Sequence, residues 1–316
     1  MFTDKGKGTG FVLAFGGVVA ALAALPFFTD LFYQTFVTEI LVWVLFAISF
    51  DLIFGYTGLL SFGQALFFGL GGYAVAIPIL KLGAGTGTGL LLSVLIPALF
   101  AAIVGYFSVK LSGIHFVIIT IIFALIGSTL GETWAWLTGG ADGLVFTAPP
   151  IELGLFQLDP ADIKSTYYLV LTVTALSYLF LSRLVRSPLG KVFVAIRENE
   201  ERARLIGYDV QFHKLLSFVI AGGLSGLAGG LYTVALKYAS ATFLHWSISG
   251  HAVVYAIVGG AGTLVGPVLG AGLIMSLEHY LVNLLQATDL VVGAVLVSML
   301  LFAPRGIIGI LQGRRK

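Results

Sequence analysis

The chain has no cysteine among its 316 residues. Disulfides, thiol nucleophiles and cysteine-ligated metal centres are therefore excluded. Charge is scarce as well. The 17 Lys and Arg and 15 Asp and Glu make up 10% of the sequence, where ordinary soluble domains carry about 25%. So thin a supply is too small for the surface of a soluble domain, and no nucleic-acid partner is expected. The formal net charge of +2 says little, because distribution matters more than the sum.

What is abundant is apolar sequence, at 58% hydrophobic residues and a mean hydropathy of +1.03. Runs of about 18 to 22 nearly uncharged residues recur, each long enough to cross a hydrocarbon core of roughly 30 Å at 1.5 Å per residue. They are too long for the strands of a transmembrane β-barrel. The fold class is therefore an all-α polytopic integral membrane protein, with residues 1–316 forming a single membrane domain. Candidate spans are 10–28, 35–54, 66–80, 89–109, 116–130, 167–184, 215–236, 249–259, 267–285 and 290–303. That makes about ten (8–10), of which the third and eighth are short or glycine-broken. The first follows Lys5 and Lys7, and Ala21-Leu22-Ala23 mimics a signal-peptidase site. The run is long enough to span, so it is read as a first transmembrane helix.

Orientation follows from the loops. With both termini cytoplasmic, the 183–214 loop and the tail residues Arg305, Arg314, Arg315 and Lys316 fall inside. The 132–165 loop falls outside, with Glu132, Asp142, Glu152, Asp159 and Asp162 against a single Lys164. This satisfies the positive-inside rule.

Glycine is plentiful, at 41 residues, and clustered. Gly55, Gly58, Gly63, Gly69, Gly71 and Gly72 form one group, and Gly259, Gly260, Gly262, Gly266, Gly270 and Gly272 another. Small residues let helices approach closely. Glycine breaks also permit unwound backbone at membrane depth where it lines a cavity. Both uses are open for either cluster, and the pair is expected to flank a pathway.

No nucleotide motif is present. The 259–266 stretch lacks both dinucleotide spacing and the Lys-Ser/Thr of a P-loop, and it lies between hydrophobic spans. This chain is expected to bind no cofactor, so any ATP and Mg would be held by partner subunits. His115, His213, His245, His251 and His279 show no metal-ligand spacing, and no catalytic set stands out. Asp51 and Gln64 are more informative, because an ionisable group in a span is costly unless it is paired or wet. Each either hydrogen-bonds the broken backbone nearby or lines the path. Glu278 and Asn283, nearer a span end, are less constrained.

Charge concentrates in one place. Residues 183–214 hold seven Lys and Arg and four Asp and Glu. From Gly190 the periodicity predicts a helix with Val192, Ala195 and Ile196 on one face, and Ala203, Leu205 and Ile206 continuing the apolar patch. Glu198–Arg202 and Glu200–Arg204 are i,i+4 pairs in the stabilising order. Ser187-Pro188 suits a helix start and Gly207 a helix stop. A lipid-lying helix would be mostly basic. Alternating signs instead favour a helix docking into a partner.

At these residues the chain resembles the membrane subunit of branched-chain amino-acid ABC importers, the Liv-type permeases. The stretch SPLGKVFVAIRENEERARLIGYD is similar to that family's cytoplasmic segment. GYTGLLSFGQALFFGLGGY (55–73), LTGGADGL (137–144), IVGGAGTLVGPVLGA (257–271) and FAPRGIIG (302–309) resemble its other signatures, in the expected order. The resemblance implies an ATP-driven importer permease in the bacterial inner membrane. Its implied partners are a second permease of the family, giving a heterodimer, two cytoplasmic ATPases and an extracytoplasmic solute-binding protein. Carried onto this sequence, Arg197, Glu198, Asn199, Glu200, Arg202 and Gly207 belong to an ATPase-docking element within 186–212. Asp51, Tyr56, Thr57, Gly58, Ser61, Gln64, Gly259, Gly260 and Gly262 lie along the pathway. Gln64 stands where the family commonly has His, and Asp51 where it commonly has Asn. The family also imports urea, short amides and aromatic acids, and Gly207-Tyr208-Asp209 is close to the urea branch. The rival of another class is an ion-coupled secondary transporter, which would need Asp51 and Glu278 as proton or sodium carriers.

Overall fold

A computed structural model describes residues 5–153, 156–285, 293, 297 and 306–313. The apolar runs become helices: α1 (Lys5–Ala24), α2 (Leu31–Asp51), α3 (Gln64–Leu82), α4 (Thr86–Ser108) and α5 (Ile114–Thr133). After a short α6 (Ala135–Thr138) come α7 (Ile163–Arg186), α8 (Pro188–Glu198), α9 (Glu200–Leu205) and α10 (Val210–Leu236). The chain continues through α11 (Trp246–Gly259), α12 (Val265–Leu285) and α13 (Gly306–Gly313). Among the described residues six helical segments are long and apolar enough to cross a membrane, including α2 with its continuation to Tyr56. Phe15–Phe27 and Trp246–Gly259 are shorter apolar helices.

One expectation about the spans changes. The third span is not short: α3 runs 19 residues, because its glycines pack against a neighbour instead of breaking the helix, and Pro78 sits near its end. The eighth is short as expected, since the 14 residues of α11 reach only about 21 Å. Span 290–303 lies outside the described residues except for 293 and 297, and so do the tail residues Arg305, Arg314, Arg315 and Lys316.

α2, α3 and α10 form the centre, with α4 laid across α3 and α10. The α3–α10 seam is made by backbone. A Cβ on Gly71 would sit 1.9 Å from the Gly226 carbonyl oxygen, and one on Gly229 would sit 1.8 Å from that of Phe68. Only glycine allows this approach, which replaces a side-chain layer by direct main-chain contact. The rings of Phe46, Phe50, Phe67, Phe68 and Phe218 fill the remaining centre and are fully buried. By contrast α4 and α5 expose long apolar stripes, including Leu95, Leu99, Ile103, Ile118 and Ile122. That is the surface of a helix facing lipid or another apolar protein.

The 132–165 segment carries structure that the hydropathy reading did not anticipate. β1 (Leu144–Val145) pairs antiparallel with β4 (Tyr238–Ala239), placing Leu144 opposite Ala239. β2 (Ile151–Leu153) and β3 (Phe156–Leu158) make a small hairpin. Asp162 caps α7 by accepting the Ser165 N–H at 3.2 Å. Tyr167 and Tyr168 donate hydrogen bonds to the Leu22 and Ala23 carbonyls, which ties α7 to the end of α1.

Candidate functional site

The two glycine clusters meet where the charged segment packs. α2 does not stop at Asp51 but continues through a π-helical turn, Leu52–Tyr56, a widened geometry often found at functional sites. Gly58 then turns left-handed at φ +80°. The second cluster folds back at Gly260 (φ 113°) and Gly262 (φ 78°), followed by Leu264 at φ 55°. A non-glycine residue with positive φ is uncommon, so this loop is held by its surroundings.

Asp51 does the holding. It is fully buried and accepts the N–H groups of Gly262 at 2.7 Å and Leu264 at 3.2 Å. Charge-assisted bonds of this kind are roughly twice as strong as neutral ones. Arg197, from the last turn of α8, donates from Nη1 to the Gly55 carbonyl and adds a positive charge near Asp51. Its side chain passes between the two glycine turns. A Cβ on Gly58 would lie 2.8 Å from Arg197 Cγ, and one on Gly262 would lie 2.8 Å from Nη1. α13 closes the knot from a third side, with Gly306 packed on the backbone of Gly259 and Gly260.

The charged segment is not one helix. Asn199 takes an extended conformation (φ −161°, ψ 102°) and caps α9 by accepting the Arg202 N–H at 2.8 Å. An Asn followed by Glu200 and Glu201 is a strong helix start, because the acids complement the helix dipole. That start overrides the expected run through 199. Glu198 and Arg202 consequently sit on different helices, while Glu200 pairs with Arg204 at 3.4 Å and with the buried Lys214 at 2.5 Å. Gly207 (φ 99°) ends α9 as expected: its N–H goes to Arg204 O and that of Tyr208 to Ala203 O. Val192, Ile196, Ala203 and Val210 form a small separate core beneath. Leu205 and Ile206 do not join it. They are 83% and 70% exposed, beside exposed Tyr208 and Phe212.

The remaining pathway candidates lie deeper. Gln64 begins α3 and is fully buried, with Oε1 accepting Ser225 Oγ–H at 2.7 Å. Ser225 also contacts Ser49 Oγ at 2.8 Å, while Gln64 Nε2 has no hydrogen-bond partner among the described residues. Ser249 on α11 bridges the backbone before α3, accepting Ala65 N–H and donating to Phe62 O. Thr57 and Ser61 are buried and bonded locally, to Leu52 O and to Gly63 N–H. Tyr56 is half-buried beside Asp51 and Arg197. Gly259 backs directly onto Gly266. Among the described residues no group of three or more His, Asp or Glu is placed to hold a metal ion.

One acid inside the second span escaped the sequence reading. Glu39 sits on α2, half-buried, and accepts a hydrogen bond from Tyr232 OH at 3.3 Å. An acid in an apolar run is the same signal that marks Asp51, but Glu39 lacks the glycine break beside it, and its partner lies 193 residues away.

Comparison with known proteins supplies the context. The family model for the permease component of branched-chain amino acid transport systems matches residues 32–303. The chain is 26% identical over 305 residues to the high-affinity branched-chain amino acid transport system permease protein LivM of Salmonella typhimurium, covering 90% of this chain and 72% of the relative. The LivM of Escherichia coli K12 gives 25% over the same coverage. The autoinducer 2 import system permease protein LsrC of Salmonella choleraesuis is 25% identical over 178 residues, 54% of this chain and 48% of its own. No solved structure matches. Four sequence stretches typical of such permeases, brought together around Asp51 and Arg197, agree with a match that spans most of the chain. This protein belongs to the family of permease components of branched-chain amino acid transport systems.

Proposed function

We propose that this chain forms half of the translocation pathway of a branched-chain amino-acid importer in a bacterial inner membrane, driven by ATPases that dock on residues 186–212. The second half would be another permease of the family, and an extracytoplasmic binding protein would deliver the solute. The ATP and Mg would be bound by the ATPase chains.

The observation that carries the docking assignment is the exposed quartet Leu205, Ile206, Tyr208 and Phe212 at the tip of a charged module with its own core. Apolar side chains rimmed by charges of both signs, Arg202, Arg204, Glu201 and Asp209, have the composition of a protein interface. A lipid-seeking surface would be basic. Arg197 then joins that interface to the glycine knot, so motion of α8 and α9 reaches the Gly55–Gly262 contact directly.

The ion-coupled alternative loses support from Asp51. A proton or sodium carrier must release its bonds in each cycle, whereas this carboxylate is saturated by backbone donors and locks a strained loop. LsrC, an autoinducer 2 permease, keeps non-amino-acid solutes such as urea or short amides open as a second reading of the substrate.

The test is reconstitution with the partner chains. ATP hydrolysis should rise when solute-loaded binding protein is added. Leu205→Glu with Ile206→Glu should abolish ATPase recruitment while leaving the membrane domain folded. Unchanged recruitment by that double variant defeats the docking assignment.

A further inference from the structure

At the end of the molecule away from the knot, α2, the start of α7 and the end of α10 line a half-open cavity of about 270 Å³. Small-molecule sites run from roughly 300 to 1,000 Å³, so this one suits a solute of amino-acid size and excludes a nucleotide. Its lining holds one carboxylate, Glu39, and one ammonium, Lys237. Among the described residues neither is ion-paired, and Lys237 Nζ makes one hydrogen bond, to the Ala161 carbonyl at 3.3 Å, leaving two of its N–H donors for a ligand. Two opposite charges that share a cavity without neutralising each other leave room for a ligand to bridge them. The rest of the wall is mainly apolar or hydroxylic, including Ile163, Ala235, Leu236 and Thr166.

Two further features point to use. Lys237 occupies a left-handed position, φ 57° and ψ 30°, at the C-cap of α10. Glycine is far cheaper there, so retaining a long cationic side chain runs against local backbone preference. Glu39 is held in place by Tyr232, whose ring lies against Trp43 at 5.7 Å, Phe68 at 5.7 Å and Phe243 at 5.3 Å. A carboxylate fixed through so crowded a ring is preorganised, which lowers the cost of receiving a charge.

We propose that this cavity binds a zwitterionic amino acid with an apolar side chain: Glu39 takes the ammonium, Lys237 the carboxylate, and Ile163, Ala235 and Leu236 meet the hydrocarbon. Tyr232 is a positioning residue for Glu39. The inference rests on the amino-acid importer reading above and adds where this chain itself would recognise the solute.

The experiment uses the full chain in lipid nanodiscs with radiolabelled L-leucine, 3-methylbutylamine (no carboxylate) and 4-methylpentanoate (no ammonium). Leucine should bind saturably. Glu39→Gln should weaken leucine and the amine at least tenfold and leave the acid unchanged. Lys237→Gly should weaken leucine and the acid and leave the amine unchanged, while its melting temperature holds or rises because the strained backbone relaxes. No purely structural role for Lys237 gives that split. Leucine binding that neither variant alters, or no saturable binding up to about 10 mM, overturns the site. ATPase recruitment by the same variants keeps the two readings apart. Recruitment retained while leucine binding ignores both substitutions rejects the cavity and spares the importer. Binding through Glu39 and Lys237 without recruitment does the reverse.

Discussion

α2 carries two acids, and they are used in opposite ways. Asp51, at the end beside the charged module, is sealed and spends both oxygens on backbone N–H groups. Glu39, twelve residues or about 18 Å earlier along the helix, faces a cavity and accepts a hydrogen bond from a tyrosine. Each sits near a non-glycine residue with a left-handed backbone, Leu264 at one end and Lys237 at the other. In the first case the strain is held in by the acid. In the second the strained residue itself brings a charge. The contrast separates an acid that builds the fold from one that is available to a solute.

Substitutions at four positions probe this difference, from the largest expected loss of stability to the smallest. Asp51→Ala leaves two buried amides unsatisfied, at about 1–3 kcal/mol each, and should unfold or misassemble the chain in a thermal melt monitored in detergent. Asp51→Asn, which keeps an acceptor, should recover part of that loss. If Asp51→Ala melts like the parent, the acid is not what holds the knot. Gly262→Ala comes next. It forces a methyl into the left-handed region and against Arg197, for roughly 1–2 kcal/mol from the backbone alone. Arg197→Ala should lower the melting temperature less than either, since its side chain is partly exposed. It should nevertheless cut solute-stimulated ATP hydrolysis severalfold while partner chains still co-purify. Full stimulation in that variant would show that the knot plays no part in coupling. Glu39→Gln is the mildest for the fold, within about 0.5 kcal/mol, and should still reduce leucine uptake. A Glu39→Gln chain that is strongly destabilised would erase the distinction between the two acids.

Much of this was legible in the sequence, and the limits have physical causes. Hydropathy identified the six long helices and the shortness of α11, because each helix needs enough apolar residues to cross. It underestimated α3, since glycine reads as a breaker when its helix is viewed alone and as a seam only when α10 is alongside. Asp51 stood out as an acid in an apolar run, but its partners are 211 and 213 residues away, and no local pattern encodes them. Gly207 was readable because a helix stop is a local event. The break at Asn199 was equally local, and the i,i+4 charge pairs concealed it. Glu39 had no neighbour in sequence to mark it. The exposure of Leu205 and Ile206 accompanies that same break: α9 keeps Ala203 in the core that α8 buries but leaves its last turn outside.

The direct main-chain contact between α3 and α10 has a mechanical consequence. Where backbone meets backbone no rotamer absorbs displacement, and the Gln64–Ser225 bond and the Phe67–Phe218 ring pair tie the same two helices, so they transmit force as one stiff strut. α10 begins at the charged module and ends at Lys237, a rod of roughly 40 Å. Each degree of tilt applied at the Val210 end moves the far tip by about 0.7 Å, as for any lever of that length. A hydrogen bond is lost over a displacement of that order. A few degrees of rotation at the charged module is thus enough to make or break a hydrogen bond at the Lys237 end.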